Sequence, residues 1–290
     1  MATATGFIGL GIMGRPMAMN LARSFPVIGY DLDTSRFNGT VGVDRAASIA
    51  DLAGQCAVVC LSLPSAAVVE EVTIGSRGLA DTLKSGSLVI DLSTCLPSVS
   101  RRVAARLAEK GIAFADAPVS GGEAGAQAGT LAIMVGASPA AFERCVPLLS
   151  AMGKSIVRVG DVGAGGVAKL VNNMIVGSAF AVIAEGFALA VRNGVDPQVL
   201  YDSIREGWAG SKVLDVSATA IVAHDYTPGG TIDMLEKDLG YARALATESR
   251  VPVPMTAAAH EIFVAGQAAG NGKCAQPALI ELWAQGGGHA

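Results

Sequence analysis

Charge is scarce in this chain: 16% of its 290 residues are Asp, Glu, Lys or Arg, and the net charge is −4. That leaves no basic surface for nucleic acid or an anionic membrane. Histidine is scarcer still, and none of His224, His260 and His289 lies near a motif. The five cysteines, Cys56, Cys60, Cys95, Cys145 and Cys274, are odd in number and show no metal spacing, which argues against a disulfide framework and a metal centre. Cys56 and Cys60, in and beside the apolar run AVVCLSLP, read as small buried hydrophobes. The N-terminus has neither a long uncharged apolar run nor a basic segment leading to a cleavage site, so a soluble cytoplasmic protein is expected. What the chain has is apolar residues, at 51%, enough for a large core and a subunit interface. Its length suits one large domain or two ordinary ones.

Residues 5–10, TGFIGL, read as a short buried strand. Gly9, Gly11 and Gly14 follow in the spacing G-x-G-x-x-G, enclosing Ile12 and Met13, and RPMAMNLAR continues as a helix. In such a turn the first glycine permits the bend and the second lets a pyrophosphate approach the backbone. The third lets the helix pack against the strand. The helix N-terminus then attracts phosphate. The next strand, PVIGY, leads to Asp31, where an acid can bind the ribose hydroxyls of the adenosine half and repel a 2′-phosphate. NAD is therefore the expected cofactor. Arg36 is the nearest cation, and a generic glycine-rich turn is the alternative.

The alternation continues through AVVCLSLP, helix SAAVVEEV, strand GSLVIDLST, a helix from about Pro97 to Lys110, strands IAFADAPV and LAIMVG, a helix from about Pro139 to Met152, and SIVRVG. This pattern predicts a doubly wound, mainly parallel sheet whose ligands sit beyond the C-terminal strand ends. Leu63, Pro64, Ser93 and Thr94 stand at such ends, where Ser and Thr also serve as plain caps. In DAPVSGGEAGAQAGTLAIMVG, residues 116–136, Ser120, Gly121 and Gly122 offer unobstructed N–H groups that can cradle an anion such as a carboxylate. A flexible hairpin loop is the bland alternative.

After a glycine-rich boundary at Asp161–Gly166, one long apolar helix runs to Arg192. Lys169, Asn172, Asn173 and Glu185 interrupt it, which favours a mostly buried helix over a membrane span. Lys169 and Asn173 lie ~40° apart around the axis and share a face; Glu185, about 160° from Lys169, points elsewhere and reads as structural. No strand pattern follows residue 160. The Ala- and Gly-rich helices beyond suit close packing, in a dimer interface as well as a core. Lys237-Asp238 reads locally as a solvated pair.

With these motifs placed, the chain resembles the β-hydroxyacid dehydrogenase family, which includes 3-hydroxyisobutyrate dehydrogenase, tartronate semialdehyde reductase and L-threonate dehydrogenase. Four ordered segments carry the resemblance: FIGLGIMGRPMAMNL at 7–21, residues 116–136, GAGGVAKLVNN at 163–173 and KDLGYA at 237–242. It implies a Rossmann domain (1–161), then an all-helical substrate and oligomerisation domain (162–290), joined by the long central helix and assembled as a homodimer or homotetramer. It also implies that Lys169 is catalytic with Asn173 as its substrate-binding companion, and that Ser120, Gly121 and Gly122 hold the substrate carboxylate. The cofactor would be held by Gly9, Gly11, Ile12, Met13, Gly14 and Asp31, with contacts from Leu63, Pro64, Thr94 and Lys237. The substrate would be a small 3-hydroxyacid. Many members carry Phe where this chain has Gly230, and the run GNGKCAQPALIELW lacks acids common there. Gly230 predicts a roomier or more polar pocket, with Trp208 available to refill it. The segment YTPGGTIDMLEKDLG leans toward the L-threonate branch.

Oxidising an alcohol needs a base for the hydroxyl proton, and reduction needs the same group as an acid. With no histidine near the motifs, Lys169 is the candidate, its proton loosened by burial and the helix N-terminus. Two other classes stay open: a non-catalytic dinucleotide-binding protein, and an imine or bulky-carbonyl reductase. The intact Lys169 and Asn173 disfavour the first, and Lys169 the second.

Overall fold

The computed structural model describes residues 4–227 and 229–284. Among these residues nine strands form one sheet: β1 (Ala4–Ile8), β2 (Val27–Tyr30), β3 (Val43–Arg45), β4 (Cys56–Leu61), β5 (Leu88–Asp91), β6 (Ala113–Asp116), β7 (Val119–Ser120), β8 (Leu131–Gly136) and β9 (Gly153–Gly160). The order is β3-β2-β1-β4-β5-β6-β8-β7, with β9 also on β8. The first six are parallel, β8 runs antiparallel to β6 and β7, and β9 runs parallel to β8. Interleaved helices are α1 (Gly14–Ala22), α2 (Ile49–Gln55), α3 (Ala66–Ile74), α4 (Leu79–Thr82), α5 (Pro97–Ala108), α6 (Gly122–Ala128) and α7 (Pro139–Leu149). This is the doubly wound sheet that the alternation predicts, with the strand order of a dinucleotide-binding domain.

Local chemistry explains the boundaries. Ser48, Ser65 and Ser138 cap α2, α3 and α7 by accepting the N–H three residues on, and Pro97 and Pro139 open α5 and α7. β1 stops at Ile8 because Gly9 turns to φ +94°. Strands β1, β4 and β5 are apolar throughout much of their length because both sheet faces are covered, and Phe7, Leu61, Leu88 and Ile90 are fully buried. β3 and α2 are not apparent in the sequence. β3 is a three-residue strand without a fully buried residue, and α2 buries only Leu52 and Ala53.

The chain divides into two compact units after Lys169. Helix α8 (Ala164–Arg192) runs through that division, and α9 (Pro197–Ile204), α10 (Lys212–Ala223), α11 (Ile232–Ser249), α12 (Pro254–Ala268) and α13 (Glu281–Ala284) follow. Among the described residues the only β pairing past Gly160 is a single bridge, Thr231 with Ala275. The second unit packs Phe180 and Ala184 of α8, Leu235 and Leu239 of α11, Phe263 of α12 and Leu279 around one core. Gly177 lets α8 approach α11, since a Cβ there would stand 2.9 Å from the Leu239 side chain.

Helix α8 is less buried than its composition suggests. Ile175 is 67%, Val182 61% and Leu189 67% exposed, and Val171 also faces outward. These positions fall within ~40° of one another around the axis and form one apolar stripe. Glu185 is exposed beside it.

Candidate active site

The glycine turn between β1 and α1 is built by backbone contact. A Cβ on Gly9 would meet the Ser62 carbonyl oxygen at 2.2 Å, and one on Gly14 would meet the Gly9 carbonyl oxygen at 1.9 Å. Among the described residues, nothing stands within 4 Å of Gly11 on its Cβ side. Ile12 is exposed and Met13 half-buried at the start of α1. Asp31 sits beside the turn, because the Leu10 N–H donates to its Oδ2 (2.6 Å) and the Asp33 N–H to its Oδ1 (2.9 Å). Past β4, Leu63 is half-buried and Pro64 exposed; past β5, Thr94 is half-buried. The ends of β4 and β5 are tied by the Leu63 N–H, which donates to Ser93 Oγ (2.8 Å). The glycine turn, Asp31, Leu63, Pro64 and Thr94 thus all stand at the C-terminal ends of β1, β2, β4 and β5, which are neighbours in the sheet.

Ser120 ends β7, and the residues after it form α6 rather than a hairpin loop. Gly121 (φ +135°) and Gly122 (φ +62°) make the entry to that helix, and a Cβ on Gly122 would meet none of the described residues within 4 Å. The far end of α6 is fixed to α1 by Asn20, whose Nδ2 donates to the Ala126 and Gln127 carbonyls (2.7 and 3.2 Å). Three exposed or half-buried residues, Ser120, Gly121 and Gly122, are therefore presented from an anchored element.

The start of α8 rests on an acid that the sequence reading did not single out. Asp116, the last residue of β6 and 2% exposed, accepts the Gly163 N–H (2.7 Å) and the Gly166 N–H (2.8 Å). Gly163, Gly165 and Gly166 serve this junction. A Cβ on Gly165 would stand 2.5 Å from the Met134 carbonyl oxygen and 2.6 Å from that of Asp116. Asp91 ends the neighbouring strand in register with Asp116 and is fully buried. Burial pushes Asp116 up to about 6, against the pull of the Gly163 and Gly166 N–H groups and with a further push from the Asp91 charge. Burial also pushes Asp91 up to about 6, against hydrogen bonds from Ser93 and Cys95. Lys169 follows, half-buried, in the first turns of α8.

The second unit holds a polar cluster of its own. Asn173 is 4% exposed, and its Nδ2 donates to Asp238 Oδ2 (2.6 Å). Its Oδ1 accepts from Asn172 Nδ2 (2.9 Å). Asp238 is 8% exposed, so Lys237-Asp238 is not a solvated pair. Lys237 Nζ lies 3.2 Å from Asp238 Oδ1 and 5.4 Å from the Tyr241 ring centre. That Lys237 contact is an ion pair by distance without hydrogen-bond geometry. The signal for Asp238 was available: it falls in the stripe Leu235, Leu239, Ala242, Ala246 that α11 buries. His260 of α12 also reaches this helix, its Nε2 2.9 Å from Glu236 Oε1 and its Nδ1 2.7 Å from Arg243 Nη1, which sequence proximity had hidden. Trp208 is fully exposed and does not refill the space at Gly230. Gln276 does: its Nε2 lies 2.7 Å from where a Cβ on Gly230 would be.

Comparison with known proteins decides the family. Residues 4–160 match the model described as the NAD binding domain of 6-phosphogluconate dehydrogenase. Residues 163–283 match the model described as NAD-binding of NADP-dependent 3-hydroxyisobutyrate dehydrogenase. The 2-(hydroxymethyl)glutarate dehydrogenase of Eubacterium barkeri is 40% identical, over 97% of this chain and 94% of its own. The chain belongs to the β-hydroxyacid dehydrogenase family. The L-threonate dehydrogenase of Cupriavidus necator is 36% identical over 98% of this chain and 97% of its own. The crystal structure of 3-hydroxyisobutyrate dehydrogenase from Salmonella typhimurium superposes with a TM-score of 0.88 at 32% identity, covering 96% and 99% of the two chains.

As a β-hydroxyacid dehydrogenase the protein works with a nicotinamide dinucleotide. Its residues fit that group. The backbone contacts of Gly9 and Gly14 exclude side chains, the space over Gly11 is open, and the Asp31 carboxylate is fixed beside the turn. Gly11 and the α1 N-terminus would hold the pyrophosphate and Asp31 the adenosine ribose. When bound, the nicotinamide supplies the hydride chemistry.

Proposed function

We propose that this enzyme interconverts a small 3-hydroxyacid and its semialdehyde with NAD, and that Lys169 exchanges the hydroxyl proton. The observation that carries this reading is the pairing of Lys169 and Asn173 one turn apart on a single helix. A proton carrier and an amide fixed in orientation by Asp238 then face the same way. Lysine gives or takes the proton, while Asn173 keeps its charge and steadies the reacting oxygen or a hydroxyl. The Asp238 bond uses one Nδ2 hydrogen, so the second remains for substrate. Ser120 and the N–H groups at Gly121 and Gly122 take the substrate carboxylate. Residues 1–161 serve the dinucleotide, with Leu63, Pro64 and Thr94 joined by Lys237, and 162–290 serve substrate and subunit contact.

Two finer readings go with it. Gln276 beside Gly230 supports a wall of amide where many relatives have a phenyl ring, favouring a four-carbon polyhydroxy acid over 3-hydroxyisobutyrate. The outward stripe of Val171, Ile175, Val182 and Leu189 supports a homo-oligomer, in which a second copy covers those side chains in a soluble, cytoplasmic protein. By length and composition α8 could also cross a membrane. Its inner face, however, is already packed on the core of its own unit.

The deciding test is Lys169→Ala assayed by single-turnover hydride transfer and by NAD affinity. Loss of a positioned acid–base group typically costs ~10²–10⁴-fold in rate. NAD affinity should hold within about twofold, and Lys169→Arg should not restore the rate, because guanidinium keeps its proton. Near-normal hydride transfer in Lys169→Ala would sink the reading. Asp31 should make kcat/KM higher with NAD than with NADP, and Ile175→Asp should lower the mass of the species seen by light scattering.

A further inference from the structure

We propose that Asp116 is a positioning residue of the reaction, clamping the first turn of α8 so that Lys169 works from one fixed place and against one fixed negative charge. This inference rests on the role given to Lys169 above. The first N–H groups of any helix lack partners within it, and a neighbouring Ser, Thr, Asp or Asn usually satisfies one of them. Here one carboxylate takes such an N–H, at Gly166, together with that of Gly163, the residue just before the helix, and it comes from the end of a strand 47 residues before Gly163. The helix start is thereby pinned to the sheet.

The fit leaves no slack. A Cβ on Gly136 would lie 2.5 Å from Asp116 Oδ1 and 2.7 Å from the Gly165 nitrogen. Lys169 follows Gly166 by three residues, and helical side chains lean toward the N-terminus, so its stem runs back over the clamped turn. Charged and titratable groups also stand on the elements that meet this junction. Asp91 stands in register on β5 and Cys95 just past that strand. Arg101 of α5 has its Nε 2.8 Å from where a Cβ on Gly163 would be, and Lys169 stands one turn along α8. An anion among these groups offsets the positive end of the helix beside the lysine. Without it, the lysine ammonium would give up its proton more readily.

The test uses the full-length enzyme with NAD and either 3-hydroxyisobutyrate or L-threonate, whichever is turned over faster. Asp116→Asn keeps the shape but loses the charge and one acceptor. It should lower kcat by ~10- to 100-fold, the size of effect expected when a reacting group is misplaced by about 1 Å, while KM for NAD holds within about twofold. The pH at half-maximal alcohol oxidation should fall, because an anion at the start of the same helix has been removed. An unchanged kcat with an unmoved pH limb overturns the proposal. If Asp116→Asn does not fold, semialdehyde reduction by the native enzyme and by Asp91→Asn decides instead. In the native enzyme kcat should fall as pH drops through about 6, where Asp116 takes a proton and the clamp weakens. Asp91→Asn removes the like charge beside it and should move that fall to lower pH; a limb that stays put overturns the proposal. Lys169→Ala, run in parallel, separates the two levels. Normal hydride transfer there removes the basis for both, whereas its loss alongside a native-like Asp116→Asn removes only the clamp.

Discussion

Asp116 and Asp238 are both aspartates buried against α8, yet they hold different things. Asp116 receives two backbone N–H groups and so fixes a segment of chain. Asp238 receives a side-chain amide and neighbours an ammonium, and so fixes the direction of Asn173 and the place of Lys237. Removing an acid of the first kind should disturb geometry and stability together. Removing one of the second kind should leave the fold nearly intact and strip function from it.

The sharpest way to break that contrast is Asp238→Ala. It leaves Asn173 Nδ2 and Lys237 without this partner, and kcat/KM should fall by about 10²-fold, the size expected when a substrate-positioning group loses its orientation. In a cycle with Asn173→Ala the two losses should be less than additive, since each breaks the same bond. Additive losses would mean Asp238 acts elsewhere. Next comes Gly136→Ala, which drives a methyl into Asp116 Oδ1. Overpacking of this kind costs ~1–3 kcal/mol, read as a lower Tm with NAD affinity kept. A Tm unchanged within error would show that the clamp has slack.

Asp91 offers a smaller effect of opposite sign. The unfolded chain releases this proton near 3.8 and the folded protein near 6. Its contribution to stability is therefore present in acid and is lost as pH rises through about 6. Asp91→Asn should remove that dependence and stabilise the protein at pH 7.5 by on the order of 1 kcal/mol, read by thermal melts at pH 5 and 7.5. The smallest change expected is Gly230→Ala. Only the flexible end of Gln276 must move, so stability should stay within ~0.5 kcal/mol. A marked loss would mean Gln276 is held more rigidly than a free amide.

The first unit was legible because its code is local. Apolar runs separated by glycine turns and Pro- or Ser-capped helices name strands and helices one at a time, and the Asp31 and G-x-G-x-x-G positions fall at strand ends by count alone. What stayed hidden was long-range. Asp116 ends an apolar strand just as Asp91 does, and nothing within a few residues tells that one meets a helix N-terminus. Asp238 looked like half of a solvated pair because its neighbour is a lysine, although its place in the apolar stripe of α11 marked it as buried. His260 looked remote from any motif because α12 folds back onto α11 in space. The outward stripe of α8 is invisible to composition, which reports how apolar a helix is and not which side is covered.

Lys169 and Asn173 are spaced by helical pitch, about 6 Å along the axis. That distance comes from backbone hydrogen bonds and hardly depends on any side chain nearby. The helix therefore behaves as a ruler that mutation cannot easily recalibrate. Adaptation to longer, shorter or more hydroxylated acids must be written elsewhere, on segments free to vary without moving the marks. The stretch around Gly230 and Gln276, where one side chain fills the space another has vacated, is such a segment. Chemistry and selectivity would then evolve on separate parts of one polypeptide.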